Sequence, residues 1–306
     1  MVKLEGRDLL SIADLNKEEI RTILDLAAEL KKGKKQYKCD KTLGLLFYKA
    51  STRTRVSFTV AMYQLGGNVI YLEPSTTQIG RGEPIKDTAR VLSRYLDIVA
   101  IRTFAQEDLQ TFAEYSDIPI INALTDLEHP CQILADFQTI EENFGGLEGI
   151  TIAFLGDGNN VAHSLLLGGA IMGMKVRIAT PPGYEPKAEI VERARKLAAN
   201  PDQILLTNSP ETAVDKAQVL YTDVWVSMGQ EGEAAKKIPS FQPYQLNERL
   251  VGLADREAIV LHCLPAYRGK EITEEVLEGR QSRVWDEAEN RMHAQKALIA
   301  CLLGLV

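Results

Sequence analysis

Short apolar segments rich in β-branched residues alternate with amphipathic segments along almost the whole chain, and this alternation restricts the fold more than any other feature. A short apolar run is typical of a buried strand, whereas apolar residues at helical spacing indicate a helix. Strands that alternate with helices form parallel sheets with helices on both faces. The sequence therefore predicts an α/β fold, with strands at residues 42–47, 68–72, 97–101, 118–122, 149–155, 175–179, 218–221 and 258–262.

The alternation is interrupted near the middle, where Gly145 and Gly146 follow a predicted helix at Pro130–Phe144. A length of 306 residues also suggests about two domains. We therefore expect two doubly wound parallel-sheet domains joined by two connecting helices. The first comprises residues 1–145, with a C-terminal helix at 286–306 packing back on it, and the second comprises residues 146–285. Two such sheets would leave a cleft at their carboxyl-end loops, where doubly wound folds bind ligands.

The charge balance excludes several classes of partner. Acidic residues outnumber basic ones by 42 to 35, which gives a net charge of −7 and argues against general binding of nucleic acid or of an anionic membrane.

The apolar runs and the cysteines exclude further classes of protein. The longest apolar runs have about ten residues, whereas a bilayer span needs ~20. Four cysteines without a C-x-x-C pair argue against a zinc ribbon or a disulfide framework. We expect a cytoplasmic protein with no metal, no membrane partner and no nucleic-acid partner.

The segment Ser51-Thr52-Arg53-Thr54-Arg55 follows a predicted strand and begins a helix. The N-terminus of a helix presents free N–H groups and the positive end of its dipole. Hydroxyl groups and a guanidinium add donors that fit phosphate oxygens. The segment therefore predicts a phosphate cradle without a glycine-rich loop, and the alternative is an ordinary helix cap followed by a solvated basic turn.

Gly156-Asp157-Gly158 also stands between a strand and a helix, which suggests a dinucleotide site. The G-x-G-x-x-G pattern requires glycine at position 161, but this chain has Val161 there. We therefore do not expect a nicotinamide cofactor. The adjacent Asn159 and Asn160 could bind a polar ligand or cap the helix.

Three further segments follow predicted strands and place polar side chains at the same edge: His129-Pro-Cys-Gln132, Asp223 to Gly229, and His262-Cys-Leu-Pro265. Taken alone, each has a structural alternative, namely a packed histidine, a packed methionine or a buried thiol. Glycines and prolines over residues 227–244 predict a mobile loop that could close over a ligand.

Together these segments resemble the aspartate/ornithine carbamoyltransferase family, in the family's order and over nearly the whole chain. The resemblance implies transfer of the carbamoyl group from carbamoyl phosphate to the side-chain amine of L-ornithine. The products would be L-citrulline and phosphate, in arginine biosynthesis or, in reverse, in arginine catabolism. It also implies a homotrimer or a multiple of trimers, with active sites near the interfaces between subunits. The reaction needs no redox or metal step, so we expect no cofactor.

The resemblance implies a role for each matching residue. Carbamoyl phosphate would bind the first domain at Ser51, Thr52, Arg53, Thr54, Gln78, Arg102, His129, Gln132 and Arg291. In many family members the glutamine that matches Gln78 comes from the neighbouring subunit. Ornithine would bind the second domain at Asn160, Asp223, Ser227, Met228, Cys263 and Leu264. The residues expected to act in the reaction itself are Arg102, His129, Asp223 and Cys263.

Five alternatives remain beside this hypothesis. An aspartate carbamoyltransferase would need basic residues in its second domain to hold a second carboxylate. Enzymes acting on putrescine or on an acylated ornithine are closer to the observed pattern. Asp223 favours free ornithine, because an α-ammonium group needs a carboxylate partner. A catalytically silent regulatory subunit and a dehydrogenase are the remaining possibilities.

Overall fold

The computed structural model describes residues 3–226, 232 and 234–306, and these form two compact units. The first unit comprises residues 1–138 and 289–306, and the second comprises residues 139–288. Each unit contains one parallel sheet with helices, which confirms the predicted fold class. The division within the chain falls at residues 138/139 and 288/289, whereas the sequence analysis placed it at 145/146 and 285/286.

The sheet of the first unit has four parallel strands in the order β2-β1-β3-β4. Strand β1 is central, and its Leu43 pairs with Val69 on one side and Ile98 on the other. The strands are β1 (Thr42–Phe47), β2 (Asn68–Leu72), β3 (Ile98–Arg102) and β4 (Ile120–Leu124). The helices that belong wholly to this unit are α1 (Lys17–Lys31), α2 (Thr52–Gln64), α3 (Ile85–Leu92) and α4 (Gln106–Glu114).

Strand β3 is buried at every position, as expected for a strand covered on both faces. One face of the sheet packs with apolar residues of α3 and α4, including Ala89, Leu109 and Phe112. Arg102, the last residue of β3, pairs with Phe47 at the end of β1, and Ser51 follows β1, so both residues lie at the carboxyl ends of neighbouring parallel strands.

The second unit has five parallel strands in the order β7-β6-β5-β8-β9. The strands are β5 (Thr151–Leu155), β6 (Lys175–Ala179), β7 (Ile204–Thr207), β8 (Val219–Thr222) and β9 (Ile259–His262). The helices within this unit are α6 (Asn160–Met172), α7 (Ala188–Leu197), α8 (Pro210–Val214), α9 (Ala234–Phe241), α10 (Glu248–Val251) and α11 (Glu274–Leu277). The sequence analysis missed β7, a four-residue strand at the edge of the sheet.

Two helices cross the division between the units along the chain. They are α5 (Pro130–Phe144) and α12 (Val284–Leu302), which correspond to the two connecting helices expected from the sequence. Helix α12 begins in the second unit and continues into the first, so it contributes residues to both units.

The predicted loop over residues 227–244 is wrong for its second part, where α9 forms in spite of Pro239. Tertiary packing accounts for this helix. Phe241 is fully buried, with its ring 4.8 Å from that of Tyr184 and 5.9 Å from that of Trp225. Lys237 of α9 forms a buried ion pair with Asp157 across 2.9 Å. Residues 227–231 lie outside the described part of the chain.

Among the described residues, no helix combines the length and the apolar character that crossing a membrane requires.

Candidate active site

In the first unit, the segment after β1 forms the N-terminus of α2, as the sequence predicts. Ser51 caps the helix, and its hydroxyl oxygen accepts a hydrogen bond from the backbone N–H of Thr54 across 3.3 Å. Thr52 and Arg53 are exposed in the first turn, whereas Thr54 is buried. Because the first N–H groups of a helix attract anions, this turn can hold a phosphate group.

Arg291 of α12 joins two of the other predicted residues in the first unit. Its guanidinium donates from Nη2 to the Thr54 hydroxyl across 2.7 Å and from Nη1 to Gln132 Oε1 across 2.6 Å. The Gln132 amide nitrogen in turn donates to Asp136 across 2.7 Å. Since all four side chains are buried, these bonds hold a positive charge at a fixed position beside the α2 turn.

His129 lies directly before α5, and Arg102 ends β3. Burial lowers the pKa of His129 well below its usual value, and the positive charges of Arg291 and Arg102 lower this pKa further. His129 is therefore neutral at pH 7. A neutral imidazole beside two guanidinium groups can donate one hydrogen bond to a carbonyl oxygen without adding a third positive charge.

Gln78 lies in an exposed 3₁₀ helix at Gln78–Arg81. The structure does not join its side chain by a hydrogen bond to any described residue of the cradle.

In the second unit, Asp223 follows β8 and is held by neighbours from two other elements. Asn159 caps α6, accepting from the backbone of Val161 and Ala162, and its amide nitrogen donates to Asp223 Oδ2 across 2.7 Å. The Cys263 thiol donates to Asp223 Oδ1 across 2.9 Å. A carboxylate oriented in this way can bind the ammonium group of a substrate.

His262 is the last residue of β9, and Cys263 follows it directly. The His262 ring is buried: its Nδ1 accepts from the backbone N–H of Leu264 across 2.9 Å, so the ring proton is on Nε2, which lies 3.2 Å from Glu271 Oε1. Leu264 has a φ of +56°, a conformation that is costly for a side chain of this size. The bond to His262 stabilises this turn and so fixes the direction of Cys263.

Glu287, in the first turn of α12, provides a second support for the same turn. Its carboxylate is buried and accepts from the backbone N–H of His262 across 2.8 Å and from the Tyr221 hydroxyl across 3.3 Å. Nothing in the sequence pattern pointed to Glu287, because an acidic residue in a first helical turn is common. The role of Glu271 was missed as well.

Asp223, His262 and Cys263 bring possible metal ligands within 4.8 Å of one another, the group with metal-binding potential that the described residues offer. Both His262 ring nitrogens are already engaged in hydrogen bonds. The imidazole would therefore have to give up one of these bonds to bind an ion.

The Gly156–Gly158 segment has a structural explanation that needs no dinucleotide. A Cβ atom at Gly158 would lie 2.2 Å from the backbone nitrogen of Pro186, so only glycine fits there. Of the two asparagines that follow, Asn159 is the helix cap and Asn160 is the first, half-buried residue of α6.

Leu264 is half-buried beside Cys263. Ser227 and Met228 lie outside the described residues. The structure thus assembles Thr54, His129, Gln132, Arg102 and Arg291 in the first unit, and Asp223 and Cys263 in the second.

Comparisons with known proteins show which family the chain belongs to. Residues 7–142 match the sequence model of the aspartate/ornithine carbamoyltransferase carbamoyl-P binding domain, and residues 148–302 match that of the Asp/Orn binding domain. The ornithine carbamoyltransferase of Synechocystis sp. is 67% identical over 99% of this chain and 98% of its own length. That of Nostoc punctiforme is 64% identical over 99% of both chains.

Solved structures show the same relationship. The ornithine carbamoyltransferase of Pyrococcus furiosus has a TM-score of 0.96 at 47% identity and full coverage of both chains. That of Gloeobacter violaceus has a TM-score of 0.89 at 52% identity, covering 99% of this chain and 100% of its own. With two domain matches in sequence order and relatives of this identity along the whole length, the chain belongs to the aspartate/ornithine carbamoyltransferase family.

Proposed function

We propose that this chain transfers the carbamoyl group from carbamoyl phosphate to the side-chain amine of L-ornithine, giving L-citrulline and phosphate. The observation that carries the choice of ornithine is Asp223, a buried carboxylate held by Asn159 and Cys263 in the second unit. A negative charge there attracts a diamino acid and repels aspartate. The named relatives, all ornithine carbamoyltransferases, support the same choice.

Carbamoyl phosphate is assigned to the domain formed by residues 1–145 with the helix at 286–306. Its phosphate group binds the α2 turn through Ser51, Thr52, Arg53 and Thr54. Its carbamoyl group contacts Arg102, His129, Gln132 and Arg291. The hydrogen bonds of Arg291 to Thr54 and Gln132 support this assignment, because they preassemble the cationic side of the site before the ligand arrives.

Ornithine is assigned to the domain formed by residues 146–285. Asp223 and Asn160 bind its α-ammonium and carboxylate ends, together with Ser227 and Met228, and Cys263 and Leu264 contact the reacting amine. The oriented Asp223 carboxylate and the direct contact between Cys263 and Asp223 support this assignment.

The reaction requires an uncharged amine. The side chain of ornithine resembles that of lysine, with a free pKa of ~10.4, so deprotonation at pH 7 costs about 4–5 kcal/mol. A desolvated site near guanidinium groups lowers this cost. The neutral nitrogen then attacks the carbamoyl carbon and forms the new C–N bond. The C–O bond to phosphate breaks, phosphate leaves with the electron pair, and the attacking nitrogen loses a second proton.

Negative charge develops on the carbamoyl oxygen during this attack. Arg102, His129 and the Thr54 hydroxyl are the donors assigned to it. One donor aimed at such an oxygen is typically worth roughly 3–4 kcal/mol of the activation barrier. Since His129 is neutral, its contribution is a hydrogen bond and does not require a protonated ring.

The proposal extends to assembly and location. We infer a homotrimer, or a multiple of trimers, in which Gln78 contacts carbamoyl phosphate in the neighbouring subunit. The exposure of Gln78 supports this role, because an exposed side chain is accessible to a neighbouring subunit. We place the enzyme in the cytoplasm, in arginine biosynthesis or, in the reverse direction, in arginine catabolism. Sedimentation velocity would test the assembly, and a monomeric, fully active enzyme would contradict it.

A co-substrate panel tests the activity. Purified protein with carbamoyl phosphate is offered ornithine, putrescine, acetylornithine or aspartate, and each product is identified by mass spectrometry. We expect citrulline from ornithine and at most traces from the other three. A comparison variant is Asp223→Asn, which should bind ornithine more weakly, whereas inorganic phosphate should still inhibit its remaining activity. Carbamoyl aspartate as the main product, or no product at all, would refute the assignment.

A further inference from the structure

The side-chain amide of Gln132 lies between two charged groups in the first unit. Its oxygen accepts from Arg291 Nη1 across 2.6 Å, and its nitrogen donates to Asp136 Oδ1 across 2.7 Å. Gln132 and Asp136 lie four residues apart on α5, so their side chains project from the same face of that helix. Gln132 is 1% exposed and Asp136 is fully buried.

Only one orientation of this amide is compatible with its neighbours. A guanidinium group can only donate hydrogen bonds, and a carboxylate can only accept them. Rotating the amide by 180° would place its NH₂ group against Arg291 and its oxygen against Asp136. Both bonds would be lost within a buried site, where unsatisfied polar groups are costly. Asp136 and Arg291 therefore fix the Gln132 oxygen on the side of Arg291, which itself contacts Thr54 of α2.

We propose that Asp136 is a positioning residue that determines specificity for a carbamoyl group over other acyl groups. It holds the Gln132 nitrogen on its own side, and so it keeps the Gln132 oxygen directed toward the carbamoyl phosphate site. This inference rests on the function proposed above, in which the Gln132 oxygen accepts a hydrogen bond from the carbamoyl NH₂ group. A carbonyl oxygen has two lone pairs, so one oxygen can serve both Arg291 and the ligand.

The relevant competitor is an acyl phosphate without the NH₂ group. Acetyl phosphate has a methyl group in place of the NH₂, and it offers the same phosphate to the α2 turn. A site built to accept a hydrogen bond rejects the analogue that lacks the donor, because its buried acceptor then stays unsatisfied. If Gln132 could rotate, its NH₂ group would face the carbamoyl NH₂, and the discrimination would disappear.

The test compares Asp136→Ala with Asp136→Asn in the full-length protein. Alanine removes the acceptor of the Gln132 nitrogen, whereas asparagine keeps an acceptor oxygen of similar reach without the charge. Calorimetry measures the dissociation constants of carbamoyl phosphate, acetyl phosphate and inorganic phosphate for each variant. Thermal unfolding reports the stability of each variant, and Asp136→Ser replaces Asp136→Ala in the comparison should the latter not fold.

We expect Asp136→Ala to weaken carbamoyl phosphate binding about tenfold, the effect of losing one buried hydrogen bond. Binding of acetyl phosphate and of inorganic phosphate should change less than about twofold, since neither offers an NH₂ group to Gln132. Asp136→Asn should keep most of the discrimination. An equal loss for all three ligands, or no loss for any, would overturn the proposal.

A double-mutant cycle with Gln132→Met separates positioning from a general effect on folding. If Asp136 acts through Gln132, Asp136→Ala should not weaken carbamoyl phosphate binding further in the Gln132→Met background. Additive losses would contradict the proposal.

These binding measurements do not depend on catalytic turnover. Failure of the unsubstituted protein to form citrulline would therefore count against the proposed function, while the ratio of the binding constants still decides the role of Asp136.

Discussion

The Cys263 thiol lies 2.9 Å from Asp223 Oδ1 and donates its hydrogen to that carboxylate. Asp223 also accepts from Asn159 and from the backbone N–H of Val224, so the thiol is one of several donors that fix its direction. This relationship makes Cys263 an orienting group for the carboxylate. It does not require a covalent step on sulfur.

Replacing Cys263 with alanine should slow citrulline formation about 10- to 100-fold, which corresponds to losing a hydrogen bond to a charged group. No covalent species should accumulate, because the amine attacks carbamoyl phosphate directly. Steady-state kinetics measures the first effect, and intact-protein mass spectrometry tests the second. The matched control is Cys39→Ala, a half-buried cysteine of the first unit, which should leave turnover unchanged. A carbamoyl adduct on Cys263 would overturn direct attack.

Replacing Arg53 with leucine should raise the KM for carbamoyl phosphate about 100-fold, because a charge-assisted contact to the phosphate is lost. Arg53 is exposed in the first turn of α2, so the fold should be unaffected and the circular dichroism spectrum should not change. Arg195→Leu removes an equally exposed guanidinium from α7 and serves as the control. Unchanged kinetics for Arg53→Leu would show that the α2 turn is not the phosphate cradle.

Replacing Glu287 with alanine should lower the free energy of unfolding by about 1–3 kcal/mol, because the buried N–H of His262 loses its acceptor. Glu287→Gln should cost less, since its amide oxygen can still accept that bond. Urea denaturation measures both. Turnover should fall in parallel with the loss of support for the Cys263 turn. Equal stability of the alanine and glutamine variants would refute this role for the carboxylate.

Stability should decrease as the pH falls below about 6.5, the ordinary pKa of a histidine in the unfolded chain. Burial holds the folded-state pKa of His129 well below that value, with Arg291 and Arg102 adding to the effect. In this pH range the unfolded state binds a proton that the folded state does not, so protonation favours unfolding. The contribution of the neutral, buried His129 to the free energy of unfolding is complete above pH 6.5. It decreases as the pH falls toward the folded-state pKa of this histidine.

His129→Gln should reduce the slope of unfolding free energy against pH by up to about 1.4 kcal/mol per pH unit below 6.5. Chemical denaturation at a series of pH values measures this slope. His293 must be included as a comparison, because burial also lowers its pKa and it contributes to the same slope. A slope that is unchanged in His129→Gln would mean that His129 binds protons equally well in both states.

Much of the architecture follows from local pattern. Strands β1, β2 and β6 were predicted with the bounds that the structure shows, since each is a short apolar run between polar segments. The helix starts at Ser51 and Asn159 follow from side chains that cap an N-terminus. The prediction failed at β7, an edge strand whose apolar run spans only residues 204–206, and at α9, where the packing of Phe241 outweighs Pro239.

The sequence by itself determined the alternation of strands and helices, the positions of the polar segments after the strands, and the resemblance that they carry. These properties depend on neighbouring residues and on their order. Only the tertiary structure decided that Arg291 contacts Gln132 and Thr54, that Asp136 fixes the Gln132 amide, and that Glu287 supports His262. Except for the pairing of Gln132 with Asp136, these contacts join residues far apart in the chain. Their hydrogen bonds depend on angles and distances that no local pattern specifies, and burial makes each bond matter by removing water as an alternative partner.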